Sequence, residues 1–69
     1  MIKYKNPTSG IDSYEIGEDY IKILFKSSNR IYKYNYLVAG KFNVDKMKKL
    51  AELGYGLNTY INEYKPSHI

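Results

Sequence analysis

The stretch Tyr20-Ile21-Lys22-Ile23-Leu24-Phe25-Lys26 alternates, with Ile21, Ile23 and Phe25 on one side and Tyr20, Lys22, Leu24 and Lys26 on the other. A period of two belongs to a β-strand, and the β-branched and aromatic content fits a strand whose Ile21, Ile23 and Phe25 face is buried. Upstream, residues 11–16 alternate imperfectly, placing Asp12, Tyr14 and Ile16 on one face, and Gly17-Glu18-Asp19 supplies a hairpin turn. Downstream, Ser27-Ser28-Asn29 is a short polar turn. After it Arg30, Tyr32, Tyr34 and Tyr36 alternate against Ile31, Lys33, Asn35 and Leu37. Three consecutive strands joined by short turns make an antiparallel meander.

The period changes after Gly40. Asn43 has the chemistry of an N-cap, Asp45 suits the first turn, and Val44, Met47, Leu50 and Ala51 repeat at helical spacing up to Gly54, a natural helix stop. The opposite side of that helix presents Lys46, Lys48, Lys49 and Glu52 to solvent. Leu57, Tyr60, Ile61 and Tyr64 then stand at i, i+3, i+4 and i+7, and Pro66 ends the run. The expected fold class is therefore α+β: a three-stranded antiparallel meander followed by two short helices packed on the face of Ile21, Ile23 and Phe25. Residues 1–10, interrupted by Asn6-Pro7-Thr8-Ser9-Gly10, read as an N-terminal arm or short edge strand, 11–66 as a single domain, and 67–69 as a C-terminal tail.

At 69 residues the chain has material for one core, and with no cysteine that core rests on packing alone, without disulfides or thiolates. No run approaches the roughly 20 apolar residues that span a bilayer, and the first residues lack the apolar segment of a signal peptide. A soluble cytoplasmic protein with no membrane partner is the expectation. The formal net charge of +4 is unevenly spread: residues 1–19 sum to −2, residues 20–50 to +7 and residues 51–69 to −1. A polyanion would be drawn to the middle of the chain, although lysines also serve solubility. The nine tyrosines, unaccompanied by tryptophan, suit surfaces that are both apolar and hydrogen-bonding. AU-rich codons raise the tyrosine count too, so the position of each ring matters more than the number.

In this order the motifs resemble the KTSC domain, a short module found at the carboxyl end of some lysyl-tRNA synthetases and as a stand-alone protein. The resemblance spans about residues 13–64: Ile16-Gly17 before a turn, Ile21-x-Ile23-x-Phe25, the central Tyr32-Lys33-Tyr34, and the helix ending Leu50-Ala51 that leads into Gly54-Tyr55-Gly56-Leu57-Asn58-x-x-Ile61. Gly54 stands where the family has a serine, the spacing from Gly56 to Asn58 is shortened, and Asn35-Tyr36 extends the aromatic alternation. Any ligand contact made by that serine does not carry over. No activity is established for the family; what the resemblance implies is nucleic-acid binding, RNA above all.

Tyr32, Tyr34 and Tyr36, at period two, share a sheet face at spacings of about 6.5–7 Å, at which unstacked bases can lie on successive rings. The same three rings form core if a helix covers that face, and by alternation Tyr32 and Tyr34 are the better buried candidates. Lys22, Lys26, Arg30 and Lys33 on adjacent strands, with Lys41, Lys46, Lys48 and Lys49 in the following loop and helix, are the candidate phosphate contacts. Lysines hold phosphates without reading sequence, so binding through them is salt-sensitive and only weakly sequence-specific. No catalytic or metal site is expected. His68 stands alone near the C-terminus, Asp12, Glu18 and Asp19 suit a turn and an exposed strand, and Gly54-x-Gly56 lacks the lysine and hydroxyl of a phosphate loop. The expected function is that of a stand-alone, non-catalytic RNA-binding module without cofactor or small-molecule substrate. A protein–protein interaction module, phage- or plasmid-encoded and docking through a Tyr-rich face, is the alternative.

Overall fold

A computed structural model describes all of residues 1–69. The central strand β3, Tyr20–Phe25, pairs antiparallel with β2, Ile11–Ile16, on one side and with β4, Ile31–Asn35, on the other. A two-residue strand β1, Ile2–Lys3, adds to the far side of β2 through Ile2↔Tyr14 and Lys3↔Ser13, so the sheet has four strands in the order β1-β2-β3-β4 rather than three. The reversal between β1 and β2 is local turn chemistry: the Asn6 Oδ1 accepts from the Thr8 N–H at 3.1 Å, and the Asn6 carbonyl accepts from the Ser9 N–H at 3.1 Å.

The imperfect alternation of β2 resolves as a β-bulge. Ile11 faces Phe25 and Ser13 faces Leu24, leaving Asp12 without an opposite residue. Ile11 and Tyr14 thereby both turn inward and are buried, where strict alternation puts Asp12, Tyr14 and Ile16 together.

The expected third strand ends two residues early, at Asn35. The Asn35 side chain accepts from the Val38 N–H at 2.8 Å and caps a one-turn helix α1, Tyr36–Ala39. The next helix, α2, runs Lys41–Leu53 and starts at Gly40, which corrects the expected N-cap at Asn43. Asn43 lies inside the first turn, where its amide N–H donates to the Ala39 carbonyl at 2.8 Å and its Oδ1 accepts a hydrogen bond from the Tyr60 hydroxyl. Gly54 ends α2 with a left-handed φ of 89°, and its backbone lies so close to Lys5 that a Cβ would overlap that side chain. The last helix α3, Leu57–Tyr64, follows at once, which makes three helices where two were expected. No helix is long and apolar enough to cross a membrane.

The helices cover the face of Ile21 and Ile23, as the alternation required. Val44, Met47 and Ala51 form the buried stripe of α2, and Leu57 and Tyr60 that of α3. The other sheet face, carrying Glu15, Tyr20, Lys22, Leu24, Ile31 and Lys33, has no helix over it. The C-terminal residues are docked: Pro66 is buried, the Ile69 N–H donates to the Lys33 carbonyl at 2.8 Å, and the His68 ring packs 4.2 Å from that of Tyr32.

Candidate nucleic-acid interface

On the open sheet face Tyr20 begins β3, with Lys22 two residues along the same strand and Lys33 opposite Lys22 on β4. The Tyr20 ring lies on Gly17, where a Cβ would overlap it, so glycine is what lets the ring lie flat at that turn. Two ammoniums approach the ring, Lys33 Nζ at 4.6 Å and Lys22 Nζ at 5.6 Å from its centroid, within cation–π range. The Tyr20 hydroxyl donates to Glu15 Oε2 at 2.8 Å, and the same oxygen stands 3.9 Å from Lys22 Nζ. That hydrogen bond to a carboxylate, with lesser help from desolvation, raises the Tyr20 phenol above its ordinary range.

The same arrangement recurs at Tyr36. Lys48 Nζ stands 5.2 Å and Lys41 Nζ 5.3 Å from its ring centroid, and its hydroxyl donates to Asp45 Oδ1 at 2.7 Å. Lys41 closes the cluster with an ion pair of 2.8 Å to Asp45 Oδ2, one helical turn on. The hydrogen bonds from Lys41 first and from Tyr36 second hold the Asp45 carboxyl below the usual carboxylate range, and the hydrogen bond to Asp45 raises both Tyr36 and Lys41. Lys48 donates to the Glu18 carbonyl at 2.9 Å, a neutral partner that fixes the ammonium without cancelling its charge.

The two clusters adjoin. Tyr20 pairs with Asn35, Tyr36 is the next residue, and the Tyr36 N–H donates to the Asp19 carbonyl at 2.9 Å. A lysine track thus runs from Lys22 and Lys33 past Tyr36 to Lys41 and Lys48, interspersed with the carboxylates of Glu15, Asp45 and Asp19, the last near enough to help raise both phenols, and α2 adds Lys46 and Lys49, both exposed and in no ion pair.

The remaining candidate residues lie elsewhere. Tyr34 is 2% exposed within the core, and burial pushes its phenol up to about 12. Tyr32 is half-buried between Phe25, at 5.2 Å edge-on, and His68. Tyr36 has left the sheet for α1, so no row of three open rings forms and the core alternative holds for Tyr34. Lys26 Nζ is hydrogen-bonded to the Pro7 carbonyl, and Arg30 stands exposed in the β3–β4 turn, at the far end of β3 from Tyr20. Sequence reasoning missed Tyr20, Glu15 and Asp45. The signal for Tyr20 was its period-two partnership with Lys22; the approach of Lys33 depends on strand register, which no local pattern reveals.

No protein-family model, no curated protein and no solved structure matches this chain.

Proposed function

We propose that this chain is a small non-catalytic module of the cytoplasm that binds RNA through its phosphates, in keeping with its resemblance to the KTSC domain. The observation that carries this reading is the doubled cluster: Tyr20 and Tyr36, adjoining, each hold two lysine ammoniums against the ring and anchor the hydroxyl on a carboxylate. A lysine side chain held over a ring loses less freedom when a phosphate arrives, which favours binding. The contacts involve no base edge, so affinity should depend little on sequence and strongly on salt. With four or five phosphates engaged on a single strand, the log–log salt slope should be about −3 to −4.

The test is fluorescence anisotropy of labelled single-stranded RNA and tRNA at about 50 and 200 mM salt, with parent protein and the Lys46/Lys48/Lys49→Ala variant. Saturable binding that weakens with salt, and a slope shallower by about 2 on the single strand in the variant, is the expected result. Absence of saturable binding by high-micromolar parent protein at the lower salt would overturn it. A protein partner is favoured by one separate observation, the 93% exposure of Leu37 on α1 with Val38 exposed beside it. Binding to such a partner would respond little to ionic strength.

A further inference from the structure

The exposed side of α2 carries a feature that the phosphate contacts do not use. Phe42 is 78% exposed in the first turn of α2. It lines an open cavity of about 360 Å³ with Lys41, Asp45, Lys46 and Lys49. Phe42, Lys46 and Lys49 stand at i, i+4 and i+7, on one side of the helix, so the two ammoniums follow the ring at about 6 and 10.5 Å along the axis. Lys41, at the edge of this cavity, also belongs to the Tyr36 cluster, which makes the cavity the end of the lysine track.

We infer that Phe42 is a stacking site for one unpaired nucleobase, with Lys46 and Lys49 on the flanking phosphates, and that the module therefore selects single-stranded over duplex RNA. This rests on the RNA-binding reading and adds the form of the ligand to it. In a duplex the base faces are already stacked and closed to a protein ring; only an unpaired base offers its π-face. The composition of the cavity argues against an apolar peptide, because Phe42 is its one apolar side chain and three ammoniums surround it. Leu37, the most exposed apolar residue, is not part of the lining.

The full chain has no tryptophan, so Phe42→Trp places a single tryptophan at the site, excited selectively beyond the absorption of the nine tyrosines. A labelled oligouridine, a blunt-ended two-strand RNA duplex without a loop and a glutamate-rich peptide serve as probes against the parent, Phe42→Trp, Phe42→Leu and Phe42→Ala, with circular dichroism to confirm folding. Loss of one stacked base should weaken oligouridine binding about 5- to 150-fold in Phe42→Ala and Phe42→Leu. Duplex binding should stay unchanged, and Phe42→Trp should keep the affinity and lose fluorescence on oligouridine. Equal oligouridine binding by all four proteins, with no quenching, would overturn the stacking site while the phosphate contacts stand. Equal dependence on Phe42 for the glutamate-rich peptide would overturn it in favour of an acidic partner. Failure of the parent to bind either RNA would remove the RNA reading and the stacking site together.

Discussion

Six of the nine tyrosines fall into two contrasting environments. Tyr4, Tyr14, Tyr34 and Tyr60 lie on the helix-covered side, each at most 8% exposed, and meet neutral partners: Tyr4 packs edge-on to Tyr14 at 6.4 Å and accepts from the Leu57 N–H, and Tyr60 donates to Asn43. Tyr20 and Tyr36 are half-buried, with ammoniums on their rings and carboxylates on their hydroxyls. The difference shows that nine tyrosines are no measure of a binding surface. A phenol fills a core as readily as it organises charges, and the face it occupies decides which.

Substituting one ring from each environment is the sharpest way to break that division. Tyr34→Ala removes a buried aromatic side chain of β4 from the core and should cost about 3–5 kcal/mol, the range for large aromatic truncations in cores. A domain of this size has about that much net stability, so the variant should lose its cooperative urea transition at room temperature. Tyr36→Ala truncates a half-buried ring that only borders the core, so it should lower the urea midpoint less than Tyr34→Ala and keep a cooperative transition while weakening RNA binding. Matching urea midpoints for the two variants would erase the distinction.

Alkaline titration tests the same division more gently. The folded state holds the Tyr34 proton up to about 12, whereas the unfolded chain releases it near the ordinary value of 10.0. Protons therefore leave the unfolded state first, so the contribution of Tyr34 is complete below pH 10 and is lost as pH rises toward its folded value, by about 1–3 kcal/mol. Tyr34→Phe should flatten that part of the stability profile, measured as the urea midpoint against pH. Tyr20 and Tyr36, also raised, would leave a residual slope in the variant.

What the sequence made legible follows from how far each signal reaches. The alternation around Ile21 and Ile23 and the helical spacing of Val44, Met47 and Ala51 are local and repeated, and they gave the covered face, the two longer helices and the stop at Gly54. Strand β1 stayed one of two alternatives, arm or short edge strand, because two residues carry no period; its pairing depends on the Asn6 turn. Tyr36 kept the alternation of β4 in the sequence, yet the Asn35 cap on Val38 won over it and turned the chain into α1. The tail looked free because it is short and terminal, but the open edge of β4 takes the Ile69 N–H and Tyr32 takes the His68 ring. At the candidate site the lysines were visible as a charge imbalance. Their grouping around two rings was not, since it needs the register that sets Lys33 opposite Lys22.

The smallest effect expected is a gain. Asp45 is the carboxylate of the Tyr36 cluster, accepting from Tyr36 on Oδ1 and from Lys41 on Oδ2. Its carboxyl titrates below the ordinary range, so its contribution to stability is present above that range and lost only as pH falls through the lowered folded value. The pair is at the surface, where such contributions are slight, and Asp45→Asn should move the urea midpoint little. The substitution keeps an acceptor for the Tyr36 hydroxyl and removes the charge. The phenol of Tyr36 should then titrate closer to its ordinary range, visible in the tyrosinate absorbance, and the Lys41 ammonium is freed for a phosphate. Affinity for single-stranded RNA at low salt should rise, and the salt slope should steepen by up to about 0.7, the value of one added phosphate contact. A role confined to holding the fold predicts no change in that slope. Weaker binding would mean that Asp45, by fixing Lys41 and Tyr36 in place, contributes more through order than its negative charge takes away.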